Sequence, residues 1–171
     1  MTKINLGKLF LCSGLLEEKV AKVYEHVAKL TNDKIIRGLL EFIAYDSFKH
    51  ASCFKSMAEA LFREVDASSE DCVEAWGNSW LAAVKDAERI LEHRKIGLAD
   101  LNSIIDALYA IEGFAAEEYL TVLHVKLIEF ISFEEGVHLD DFKAVLNWIV
   151  EDEERHKKIL ETIRDTLSKR Q

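Results

Sequence analysis

The chain contains no proline in 171 residues. Proline is the residue that most strongly breaks an α-helix, because it lacks the backbone N–H and its ring clashes with the preceding turn. Hydrophobic residues make up 49% of the chain and charged residues 31%, a mixture typical of helices with one apolar and one charged face. The sequence therefore predicts an all-α protein that forms a single domain over residues 1–171.

Apolar residues recur at helical spacing in five segments, which the sequence predicts to be helices. Asn5 and Asp33 are of the residue types that cap helix N-termini, and Gly77 predicts a kink in the third helix. The predicted helices run from after Asn5 to about Leu30, from Asp33 to about Val65, from about Glu70 to His93, from about Asp100 to Phe130, and onward from a loop at Ser132 to Asp141.

Four of these helices carry an apolar stripe that polar residues interrupt near its middle. The interruptions are Glu17 in the first helix, Ser47 and His50 in the second, Glu112 in the fourth, and Glu153 and His156 in the last. Glu153 and His156 are three residues apart, so they share one helix face. A charge on a buried face is costly unless it has a partner, and a metal ion is one such partner. Taken singly, Glu17 also fits a solvated edge beside Glu18, and His50 also fits an ordinary core histidine.

Net charge and cysteine content argue against several kinds of binding partner and of cysteine-based site. The net charge of −9 argues against nucleic acid or an anionic membrane as the partner, since both favour a basic surface. No signal-peptide pattern and no transmembrane run stands out, so we expect a soluble, cytoplasmic protein. Cys12, Cys53 and Cys72 are odd in number, widely spaced and without a Cys-x-x-Cys pair. They are therefore predicted to behave as small apolar residues rather than as a zinc site or a disulfide framework.

On these residues the chain resembles the rubrerythrin branch of the ferritin-like superfamily. The resemblance rests on Glu17 with Tyr24, His50, Glu112 with Tyr119, and Glu153 with His156. It implies a ferritin-like four-helix bundle of two antiparallel helical hairpins, with an additional crossover helix at about residues 70–94. The four-cysteine rubredoxin module of full rubrerythrins is absent, so we expect electrons to come from elsewhere.

The resemblance also implies a set of metal ligands. Glu17 and Glu112 would be terminal ligands, Glu153 a bridging ligand, and His50 and His156 the nitrogen ligands. The implied cofactor is iron, as two ions or as one well-filled site at Glu112, Glu153 and His156, with manganese or zinc as alternatives. Tyr24 and Tyr119 would be hydrogen-bond donors or radical sinks beside the ligands.

Ser47 departs from the family pattern, because it stands where a second bridging glutamate is expected. Asp46 is adjacent, but it is turned by about 100° around the helix, so it would substitute only if the helix bulged. Without it, the set supplies fewer negative charges than two divalent ions carry.

The sequence leaves three functions open. The first is a diiron oxidoreductase of the peroxidase or ferroxidase type, with hydrogen peroxide or dioxygen as substrate. The second is an iron-handling or metal-binding protein without turnover, and the third is a degenerate, metal-free bundle that acts as an interaction domain. We expect metal ions as partners, no nucleic acid, no membrane, and a homodimer.

Overall fold

The computed structural model describes residues 3–61, 66–118, 122–131 and 140–169 of the chain. Within these residues the structure consists of α-helices and contains no strand, as the sequence predicts. The helices are α1 (Lys3–Leu30), α2 (Lys34–Leu61), α3 (Ser69–Trp76), α4 (Asn78–Leu91), α5 (Leu98–Glu118), α6 (His124–Ile131) and α7 (Asp140–Ser168).

Side-chain caps explain where two of the helices begin. The Asp33 carboxylate accepts hydrogen bonds from the backbone N–H groups of Ile35 and Ile36, at 2.8 and 3.0 Å, and so caps α2 as predicted. Ser68 and Asp71 cap each other's backbone N–H groups at the start of α3. The predicted cap at Asn5 is wrong, because α1 already begins at Lys3. Asparagine inside a first turn costs well under about 1 kcal/mol, so this local preference is easily overridden.

One predicted helix is divided in the structure, and another is described in two parts. The crossover segment consists of α3 and α4, separated at Gly77, whose φ of +74° lies in a region that favours glycine. The expected kink is therefore a full break. The predicted fourth helix corresponds to α5 and α6, and residues 119–121 between them lie outside the described part of the chain. The predicted end of the second helix at Val65 and most of the predicted loop at 132–141 also lie outside it.

Contacts between side chains give the directions of the long helices. Helices α1 and α2 are antiparallel, because Arg37 near the start of α2 reaches the carbonyl of Ala28 near the end of α1, at 3.2 Å. Helices α5 and α7 are antiparallel as well, with Asp106 bound to Arg164 and Glu112 near His156. The chain thus forms two antiparallel helix pairs, α1/α2 and α5/α7.

The crossover runs along α1. Lys8 pairs with Asp71 at 2.5 Å and Lys19 with Glu88 at 2.5 Å, so α3 and α4 run parallel to α1. The chain is thereby carried back along the bundle before α5 begins, and α2 and α5 run in the same direction. This is the one-crossover connection that the sequence predicts.

Cys12 and Cys72 join α1 to α3 through a disulfide, with Cα atoms 5.3 Å apart. The prediction that these cysteines are merely small apolar residues is therefore wrong. They lie 60 residues apart, and only the packing of the crossover against α1 brings them together. Cys53 is a free thiol on α2.

The predicted stripes form the core. On α1 every stripe residue is buried, including the polar residues Ser13 and Glu17, so Glu17 does not lie at a solvated edge. The predicted fourth helix has a second apolar face, of which Ile111, Leu123 and Leu127 are buried within the chain and Phe114 is partly buried. Among the described residues, no helix combines the length and the hydropathy that crossing a membrane requires.

A close approach of α1 and α2 lies just beside the buried polar residues. A Cβ atom on Gly14 would lie 3.1 Å from the carbonyl oxygen of Ala51 and 3.3 Å from Cβ of Phe54. Glycine therefore lets the two backbones come near enough for Glu17 and His50 to meet.

Candidate metal centre

The structure brings all five predicted ligands together in the middle of the bundle. Glu17 lies on α1, His50 on α2, Glu112 on α5, and Glu153 and His156 on α7. All five side chains belong to residues that are at most 3% exposed. They form two overlapping groups. Within each group, the candidate ligand atoms lie within 4.8 Å of one another. Burial of three carboxylates and two imidazoles at one level is costly, and it calls for compensating charge.

The first group contains Glu17, His50 and Glu153. Nδ1 of His50 lies 2.9 Å from Oε1 of Glu153 and 3.7 Å from Oε2 of Glu17. The imidazole thus points a single nitrogen at two carboxylates from two other helices.

The second group contains Glu112, Glu153 and His156. Nδ1 of His156 lies 3.1 Å from Oε2 of Glu112 and 3.6 Å from Oε2 of Glu153. The two groups therefore have the same composition, one histidine and two carboxylates, with Glu153 common to both.

Glu153 lies between the two histidines and presents one oxygen to each. Its Oε1 faces His50 and its Oε2 faces His156, while the two imidazole rings stack with their centroids 5.7 Å apart. The resemblance implies that Glu153 is a bridging ligand, and this role stays a prediction. Because Glu153 is shared, the geometry does not favour the Glu112 half over the Glu17 half.

Two buried atoms of the cluster lack hydrogen bonds. Among the described residues, neither Nδ1 of His50 nor Oε1 of Glu153 has a hydrogen-bond partner, although the two atoms are only 2.9 Å apart. Two ligand atoms that each lie about 2.1 Å from one metal ion, at a right angle, are separated by about 3 Å. Their spacing fits a shared metal ion, and it also fits an ion pair between a protonated His50 and Glu153 when no metal is bound.

Two aspartates contact the Nε2 atoms of the two histidines, on the side of each ring that faces away from the cluster. Nε2 of His50 lies 3.0 Å from Oδ2 of Asp152, and Nε2 of His156 lies 3.4 Å from Oδ2 of Asp46. A carboxylate on one imidazole nitrogen fixes the proton there and leaves the other nitrogen free to bind a metal. Each aspartate thus contacts the histidine of the other helix: the aspartate on α7 contacts the histidine on α2, and the aspartate on α2 contacts the histidine on α7.

Asp46 therefore does not take the place of the missing glutamate at Ser47. It reaches the side of His156 that faces away from the cluster, and Nζ of Lys49 binds both Asp46 and Asp152 at 2.8 Å. The sequence reasoning missed Asp152, which is 7% exposed. Its signal was the spacing, because an aspartate precedes His50 and His156 by four residues in both helices.

Tyr24 contacts the cluster directly. It is fully buried, and its hydroxyl donates a short hydrogen bond to Oε1 of Glu112. Burial and the neighbouring Glu112 carboxylate raise the pKa of Tyr24 well above its usual value, so the phenol keeps its proton. Tyr119, predicted to play the same part, lies outside the described residues.

Charges inside the cluster shift its pKa values strongly. Burial, together with repulsion from Glu17 and Glu112, raises the pKa of Glu153 to about 8. Burial opposes protonation of His50, but the attraction of Glu153 and Glu17 outweighs it and raises the pKa of His50 to about 11. Without a metal ion, protons thus provide the positive charge that the carboxylates need.

In comparisons with known proteins, no family model, no curated protein and no solved structure matches the chain.

Proposed function

We propose that this chain is a ferritin-like protein of the rubrerythrin type, which binds two iron ions in the Glu/His cluster and uses them to react with hydrogen peroxide or dioxygen. The observation that carries the proposal is the pair of overlapping buried groups around Glu153. One carboxylate shared between two sets of one histidine and one further carboxylate resembles the ligand arrangement of dinuclear sites in helical bundles, except that Ser47 stands in place of the second shared glutamate.

The arrangement of the bundle supports this proposal. Ligands come from α1, α2, α5 and α7, the four helices that make up the two antiparallel pairs. Carboxylates and imidazole suit iron, and they also suit other first-row metals such as manganese and zinc, so the donor atoms are compatible with iron without selecting it.

Each residue has a distinct task in the proposed site. His50, His156 and the three glutamates hold the ions, and Asp152 and Asp46 orient the two imidazoles through Nε2. Bound iron would supply the electron-transfer chemistry that reaction with peroxide or dioxygen requires. Tyr24 keeps a proton on its hydroxyl beside Glu112, where it orients that carboxylate and is available as a proton donor.

One observation favours a second candidate, a metal-free bundle that acts as an interaction domain. The histidines already have carboxylates as neighbours, with His156 at 3.1 Å from Glu112 and His50 at 3.0 Å from Asp152. Protonated histidines would balance part of the acidic charge without any ion. Metal content separates this candidate from the proposed function.

The test is the metal content of the protein after purification without a chelator and after anaerobic loading with Fe²⁺. We expect two ions per chain, and we expect the loaded protein to consume hydrogen peroxide. Glu153→Gln should lose both properties, because it removes the ligand common to the two groups. Glu154→Gln is the matched control, since Glu154 is half exposed and pairs with Lys157. A wild-type protein that binds no more metal than Glu153→Gln would overturn the proposal.

A further inference from the structure

Ser47 is a buried hydroxyl with nothing to bind. It is 1% exposed, and its Oγ has no hydrogen-bond partner among the described residues. A buried polar group in this state costs about 1–3 kcal/mol, so an unpaired hydroxyl calls for a ligand. Ser47 lies three residues before His50, on the helix face that carries His50 into the cluster.

The two histidine helices are related position by position. Asp46, Ser47 and His50 on α2 correspond to Asp152, Glu153 and His156 on α7, and each aspartate contacts the histidine of the opposite helix. By this correspondence, Ser47 stands where a second central carboxylate would complete the pattern.

The cluster also has too little negative charge to balance two divalent ions. Its three carboxylates carry three negative charges, whereas two divalent ions carry about four positive charges. Asp46 and Asp152 do not supply the difference, because Lys49 pairs with both of them and Arg155 also pairs with Asp152. One uncompensated positive charge would therefore remain in a buried place, where it is costly.

We propose that Ser47 marks a binding site for a small free carboxylate, which accepts a hydrogen bond from the Ser47 hydroxyl and supplies the fourth negative charge of the metal-loaded site. This inference rests on the proposed function, since the anion is needed only when two divalent ions are present. Serine lacks the carboxylate and a methylene that glutamate carries, and formate is about the size of that missing group. Metal and formate then promote each other's binding, because the coupling between two ligands is reciprocal.

The experiment is an anaerobic Fe²⁺ titration of the full chain with and without millimolar formate, with chloride at equal ionic strength as the reference. For the wild type we expect formate to tighten binding of the second ion at least about tenfold. Equilibrium dialysis with ¹⁴C-formate should find one formate per metal-loaded chain and none in the metal-free protein.

Two variants report on the position itself. Ser47→Glu should bind both ions tightly without formate and should bind no ¹⁴C-formate, because its own carboxylate fills the site. Ser47→Ala removes only the hydroxyl and should weaken formate binding while it keeps the first ion. If Ser47→Glu does not fold, the formate response of the wild type and of Ser47→Ala still decides the question.

The outcomes separate the two proposals. Two tightly bound ions with an affinity that does not respond to formate would overturn the carboxylate site and leave the metal centre intact. Failure of both the wild type and Ser47→Glu to bind metal would overturn the proposed function, and the carboxylate site with it.

Discussion

Glu153→Gln should have opposite effects on the metal-free and the metal-loaded protein. The pKa of Glu153 is raised to about 8 by burial and by repulsion from Glu17 and Glu112, so at pH 7 the metal-free protein carries mostly the protonated acid. Glutamine is a neutral side chain of nearly the same shape. We therefore expect the metal-free variant to be the more stable protein at pH 7, with a chelator present, because the unfolded wild type gains stability by ionising this acid and the unfolded variant does not.

The stability difference between the metal-free proteins should grow as the pH rises. The folded-state pKa of Glu153 lies above its ordinary value of 4.5, so its contribution to stability is complete below pH 4.5 and is lost as the pH rises through 8. Most of this loss has occurred by pH 7, about 1.4 kcal/mol more follows between about pH 7 and about pH 9, and the variant has no such loss.

With metal the wild type should gain stability that the variant does not gain. A ligand at a hundred times its Kd stabilises the folded state by about 2.7 kcal/mol, which corresponds to roughly 5–10 °C in Tm for a chain of this size. The variant lacks the carboxylate that both groups share, so it should show little of this gain. Thermal unfolding of the wild type and the variant, with chelator and with Fe²⁺ and at pH 7 and pH 9, measures these differences in stability. Glu154→Gln serves as the control.

Two results would refute this reasoning. The first is a metal-dependent rise in Tm that is as large in Glu153→Gln as in the wild type. The second is a loss of several kcal/mol in the metal-free variant at pH 7, because it would mean that the ionised carboxylate is an indispensable partner of His50.

Three further predictions concern other parts of the molecule. Replacing Cys12 and Cys72 by serine should cost about 4 kcal/mol in chemical denaturation, since the disulfide closes a loop of 60 residues. Glu18→Gln should lower stability at pH 7 by less than about 1 kcal/mol. Hydrogen bonds from Lys22 and Lys55 lower the pKa of Glu18 to about 2, so the difference from the wild type should vanish as the pH falls from 4.5 to 2. Asp152→Asn should weaken metal binding about 10- to 100-fold in an Fe²⁺ titration, because His50 loses the carboxylate on Nε2.

The buried faces were predictable because they depend on spacing within one helix. The stripe of α7 keeps Leu146, Ile149, Leu160 and Ile163 in the core with the interrupting Glu153, as the helical period requires. The common level of the polar interruptions followed from helix lengths and short connections, which are also local properties.

Features that depend on how helices are rotated against each other were not predictable. Asp152 neighbours Glu153 but lies off the apolar stripe, and only the packing of α7 on α2 turns it toward His50. The pairing of Cys12 with Cys72 likewise depends on the side of α1 that the crossover covers. Disulfides are more typical of oxidising compartments, so the cytoplasmic location, like the homodimer, stays a prediction.

The most direct test of the metal centre is a crystal structure of the Fe²⁺-loaded protein with anomalous diffraction data at the iron edge. We expect two anomalous peaks about 3.5–4 Å apart, one beside Glu17 and His50, the other beside Glu112 and His156, with Glu153 between them. Crystals of loaded protein with no anomalous peak at these residues, or with iron bound only at the surface, would contradict the proposed function.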